Sequence, residues 1–126
     1  MRTILFRGRT ISENKWIEGS LLINDACKAY RITDDFVLYD TFTDHAECNP
    51  DIYLVDPETV GQFTGLTDKN GVKIFEGDIL LYLGAKGSVY YDTDLAMFMC
   101  RFKTNRSRWS FDSMDDLIEV VGNIND

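Results

Sequence analysis

No stretch of this 126-residue chain sustains the 3.6-residue apolar period of a long helix; its apolar residues fall in short alternating runs closed by Gly, Asn, Asp or Pro. A chain written this way folds mainly as antiparallel β structure. Thr3 to Arg7, Trp16 to Ile23, Cys27 to Thr33, Phe36 to Phe42 and Val60 to Thr64 read as strands, with Gly8 closing the first and Asn24-Asp25 turning the second into the third. Ile79 to Leu83, Ser88 to Asp92, Leu95 to Lys103, Trp109 to Phe111 and Ile118 to Ile124 follow, with Gly84 and Gly87 as punctuation. Asp56-Pro57-Glu58 supplies a capping carboxylate, a ring suited to the first helical position and an acid in the first turn, which predicts one short helical turn. Ser113 to Leu117 predicts another. Asn70-Gly71 has the chemistry of a type I′ hairpin turn, in which both central residues take positive φ.

The closing segment has a Gly-Asp start, four or five short strands and a helical turn before the last strand, the layout of a small SH3-like barrel. The expected division is a single domain with an N-terminal β lobe over about 1–56 and a barrel over about 57–126. An apolar content of 44%, with 13% aromatic residues, is enough for a packed core without disulfides or metal. No apolar run approaches the roughly 20 residues that span a bilayer, and no signal-type apolar region follows Met1 to Arg9. Cys27, Cys48 and Cys100 are odd in number and widely spaced, which suits reduced thiols and a cytoplasmic location.

Charge is distributed unevenly. Residues 1–33 hold six basic and three acidic side chains, residues 34–58 eight acids and no base, residues 59–111 seven bases and five acids, and residues 112–126 five acids and no base, for a net −8. The acidic stretches read as solvated segments, or as a surface that meets a basic partner or imitates nucleic-acid phosphate.

Groups with reactive chemistry are few. His45 and Cys48 could share a soft divalent metal, but a structural zinc needs four partners, so no cofactor is expected. One His and three scattered Cys give no placed nucleophile. Cys100 alternates with Phe98 and Phe102 and reads as a small buried hydrophobe. Asp68 and Asn70 fail as part of a calcium loop, because Leu66 and Gly77 stand where carboxylates are needed; a hairpin turn accounts for them better. Strand 95–103 is apolar on both faces, so Leu95, Met97 and Met99 are candidates for an interface with another lobe or another copy. Arg101, Lys103, Arg106 and Arg108, with Trp109, form a basic-aromatic stretch suited to a single-stranded backbone, although the net charge opposes nucleic acid.

Three blocks carry a family resemblance: Phe6-Arg7-Gly8-Arg9 with Trp16-Ile17-Glu18-Gly19-Ser20-Leu21; Pro57 to Leu66 with Asp68, Asn70-Gly71 and Ile74 to Ile79; and Glu119-Val120-Val121-Gly122-Asn123-Ile124. In these the chain resembles the YopX-like proteins of prophages and phages of low-GC Gram-positive bacteria. The resemblance implies a mostly β pseudo-barrel with a helical cap, and brings no catalytic residues with it. The resulting expectation is a phage or prophage protein that binds rather than catalyses, as a protein-interaction or oligomeric assembly module. The alternative is a nucleic-acid-linked role, through 101–109 or as an acidic mimic; an enzyme is the third reading.

Overall fold

The computed structural model describes residues 3–24, 29–33, 54–102, 108–111 and 117–126; for Arg108 and Trp109 it describes the backbone placement only. The fold is mainly β, as the punctuated runs require. The strands are β1 (Phe6–Arg9), β2 (Trp16–Asn24), β3 (Ala29–Thr33), β4 (Leu54–Val55), β5 (Gly61–Thr67), β6 (Lys73–Phe75), β7 (Asp78–Tyr82), β8 (Ala85–Asp92), β9 (Met97–Phe102), β10 (Arg108–Ser110) and β11 (Glu119–Asn123). All their pairings are antiparallel. Two compact units emerge, residues 4–62 on the one hand and residues 1–3 with 63–126 on the other. The expected strand Phe36 to Phe42 and most of the turn Ser113 to Leu117 lie outside the described residues.

In the first unit the strands lie in the order β4-β3-β2-β1, and the first two residues of β5 pair with Phe6 and Arg7. β4 also returns to the end of β1. Thr10 bridges Val55, the Ile11 N–H donates to the Leu54 carbonyl at 3.0 Å, and the Asp56 N–H to that of Arg9 at 3.0 Å. Gly8 does not close β1 as the sequence suggested but sits inside it, because its bare Cα lies under the core: a Cβ there would stand 3.0 Å from Ile32 Cδ1 and 3.1 Å from Val55 Cβ. Ile32 and Val55 are the fully buried pair that this contact completes. The helical turn expected at Asp56 is present as a 3-10 turn, Pro57–Thr59, with the Glu58 N–H donating to Asp56 Oδ1 at 3.1 Å.

The second unit holds the β5–β6 hairpin and a five-stranded sheet in the order β10-β9-β8-β7-β11. Its core is Ile74, Leu80, Tyr82, Val89, Cys100, Phe102 and Ile118. The expected SH3-like closure is not found: among the described residues β10 and β11 stand at opposite ends of the sheet with no pairing between them. The edge of β11 is covered instead by a turn. Asp68 Oδ2 accepts from the Val120 N–H at 2.9 Å, and the Lys69 N–H donates to the Ile118 carbonyl at 3.0 Å. These bonds occupy groups that an unprotected edge strand would offer to another chain.

Two hairpins correct the turn chemistry read from sequence. At Asn70-Gly71 only Gly71 takes positive φ, at 80°. The Gly71 N–H donates to the Asp68 carbonyl and the Asp68 N–H to the Val72 carbonyl, while Asp68 Oδ1 accepts from the N–H groups of Asn70 and Val72. The result is a longer loop organised by a carboxylate rather than a two-residue type I′ turn. The two-residue turn with both φ positive lies at Leu83 (50°) and Gly84 (84°), between the paired Tyr82 and Ala85. Leu83 has a Cβ in the left-handed region and is 72% exposed, so it bears strain without packing in return. Leu83→Asn is therefore expected to stabilise the protein by about 0.5–1 kcal/mol, visible as a rise of a few degrees in the thermal melt. Gly87 likewise is not a break but an interior residue of β8.

Candidate interaction surface

The loop from Thr10 to Lys15 sets the register of β1 against β2. The Thr10 N–H donates to the Lys15 carbonyl at 2.8 Å, the Lys15 N–H donates to Thr10 Oγ1 at 3.1 Å, and Asn14 turns the chain at φ 58°. That register places Arg9 opposite Trp16 and Arg7 opposite Glu18. Side chains directly opposite share a face, so Arg7, Arg9, Trp16 and Glu18 all stand on the side away from Gly8 and the core. The Arg7 guanidinium carbon lies 4.6 Å from the Trp16 ring centroid and that of Arg9 lies 5.4 Å from it. Two cations on one indole make a preorganised cluster. Arg31 opposes Leu22 on β2 and Leu54 on β4, which puts it on this same outward face. Its Nε is buried with no hydrogen-bond partner among the described residues.

A second cluster occupies the five-stranded sheet. Ser88, Arg101 and Arg108 are directly opposite one another across β8, β9 and β10. Arg101 is exposed and its guanidinium carbon lies 4.7 Å from the Tyr90 ring centroid. Trp109 opposes Cys100, so its position alternates with that of Arg108. Lys103 and Arg106, the other members of the basic stretch, lie outside the described residues.

The proposed apolar face of strand 95–103 is divided by the structure. β9 begins at Met97, while Leu95 and Ala96 belong to the turn from β8, where Asp92 Oδ1 accepts from the Asp94 and Leu95 N–H groups. Leu95 is 57% exposed, Met97 is half-buried and Met99 is buried. Tyr91, 42% exposed, meets Phe98 edge to face at 5.2 Å. The exposed apolar surface is thus Leu95 in the turn together with Tyr91 and Phe98, which oppose each other on the Cys100 side of the β8–β9 hairpin; Met97 and the buried Met99 stand on the other side.

Reactive side chains among the described residues are built into the fold. Asp78 is 1% exposed; its Oδ2 accepts from the Phe75 N–H at 2.8 Å and its Oδ1 from Asn123 Nδ2 at 3.1 Å. Cys100 is fully buried, as its alternation with Phe98 and Phe102 suggested, and burial pushes its thiol up to about 11. Such a thiol stays protonated near neutrality and is a poor nucleophile. No group of three potential metal ligands occurs among the described residues, and the His45–Cys48 pair lies outside them. No helix among the described residues is long and apolar enough to cross a membrane.

Sequence reasoning missed the Arg7–Arg9–Trp16 cluster. The alternation Arg-Gly-Arg was a visible sign that two cations share a strand face, but nothing local names Trp16 as their partner until the hairpin register is known. No curated protein matches the chain. A family model described as YopX protein matches residues 5–126. Among solved structures, the crystal structure of protein EF1440 from Enterococcus faecalis is similar, with 24% identity, a TM-score of 0.57, and coverage of 98% of this chain and 94% of that one. That likeness extends to the fold.

Proposed function

For a chain that belongs to the YopX protein family, we propose a non-catalytic role: a phage or prophage interaction module that assembles through the end of its β8–β9 hairpin, with a second copy of itself as the partner. The observation that carries this reading is the exposure of Leu95 and Tyr91 at the hairpin end, with Tyr91 packed edge to face on Phe98, where solvent alone would favour polar side chains. Most small homo-oligomers are symmetric, and a two-fold axis lets one apolar patch cover the same patch on a second copy. Light scattering over a range of concentrations tests it. The wild-type protein is expected at a multiple of the chain mass, and the double variant Tyr91→Ser, Leu95→Asp at the mass of one chain with an unchanged melt. A wild-type protein that stays monomeric at every concentration, or a double variant that assembles as before, overturns the reading.

A further inference from the structure

We propose that the outward face of β1–β2, centred on Arg7, Arg9 and Trp16, is a contact site for single-stranded nucleic acid. The two arginines are alternate residues on one strand, about 6.8 Å apart along it, so they can address successive points on an extended anionic chain. Both are held against the same indole, which fixes their direction and lowers the ordering cost of a contact. Apart from this stacking, the Arg9 guanidinium has no ion pair among the described residues. Arg31, on the same face, buries an Nε without a partner among the described residues. Ile11, 60% exposed, follows Arg9 by two residues and adds apolar surface at the end of β1.

Charge selects the class of partner. Residues 1–33 carry a net charge of +3 within a chain of net −8, more than the +2 of residues 59–111, so a polyanion is attracted most to this segment and repelled by 34–58 and 112–126. The indole selects between polyanions. Two guanidinium groups laid over an indole offer phosphate contacts and ordered planar surfaces on which bases stack, which a single strand uses in full; an acidic peptide needs only the cations.

Fluorescence anisotropy with labelled oligo-dT and oligo-U at low ionic strength is the test, with Arg9→Gln and Trp16→Ala as variants. Binding by the wild-type protein is expected to weaken as salt rises. Arg9→Gln is expected to reduce the slope of log affinity against log salt by about 0.7, the single-strand value for one phosphate contact. Trp16→Ala is expected to lower affinity roughly tenfold at constant salt, because the two guanidinium groups lose the surface that holds them in place for phosphate contact and stacking. Should Trp16→Ala unfold in a melt, the Arg9→Gln slope decides alone. No salt-dependent binding by the wild-type protein overturns the proposal. So does binding that survives Arg9→Gln but falls on Arg101→Gln, or binding that polyglutamate displaces while Trp16→Ala leaves it intact.

Discussion

Gly87→Ala is expected to destabilise the protein by about 3 kcal/mol and to lower its melting temperature by roughly 10 °C. An alanine inside an exposed strand is ordinarily more favourable than glycine, so the expected sign is opposite to the intrinsic preference. The reason lies across the β8–β9 pair. A Cβ on Gly87 would stand 2.7 Å from Cys100 Sγ, 2.8 Å from the Arg101 carbonyl oxygen and 3.0 Å from Phe102 Cδ1. The thiol can be removed by mutation but the carbonyl cannot. Adding Cys100→Ala should therefore recover part of the loss and leave the remainder, which thermal melts of the single and double variants would separate. Full recovery would show that the sulfur alone sets the limit.

Asp68→Ala is expected to cost about 3–5 kcal/mol. Asp68 is 7% exposed and accepts three backbone N–H bonds: from Asn70 at 2.8 Å, Val72 at 2.9 Å and Val120 at 2.9 Å. Truncation would leave all three donors without their acceptor. Burial by itself would raise the pKa of this carboxyl, but the three amide donors, helped by the Lys69 charge, hold it below the usual carboxylate value. A carboxyl depressed in this way contributes stability above the pKa it has in the unfolded chain and loses that contribution as pH falls through its lower folded value. Wild-type stability should thus decline in acid below about pH 4. In Asp68→Asn that decline should be shallower, on a lower plateau near neutrality. Equal acid slopes in the two proteins would show that other carboxylates govern acid unfolding.

What could be read from sequence was what is decided within a few residues. Asp56-Pro57-Glu58 forms its turn because cap, ring and acid act within one turn of chain. Asn70-Gly71 did mark a hairpin, yet its type was misread because Asp68 gives the loop an alternative: a side-chain oxygen takes two loop amides, and Asn70 has no need of positive φ. The two-residue turn fell to Leu83-Gly84, where the pairing of β7 with β8 imposes on leucine a conformation that its own preferences disfavour. Gly8 and Gly87 looked like breaks since glycine usually is one; their real roles depend on pairing, Gly8 admitting Val55 from a strand far away in the chain and Gly87 admitting Cys100 through the register of the next strand. The candidate surfaces followed the same rule. Alternation showed that Cys100 is inward and held an unused sign that Arg7 and Arg9 share a face, whereas the indole beneath the arginines and the burial of Met99 needed the register.

The Asp68 loop also has a consequence for the order of events as the chain emerges from a ribosome. One carboxylate oxygen can find its donors at once, two and four residues downstream. The other must wait for Val120, 52 residues later. Until then a negative group stands without its final partner, and the strand to be covered has not been made. Completion of this unit is thereby tied to arrival of its last strand, a long-separation contact of the kind that slows folding. A nascent chain halted before Val120 should remain open to proteases, and one released after Asn123 should not.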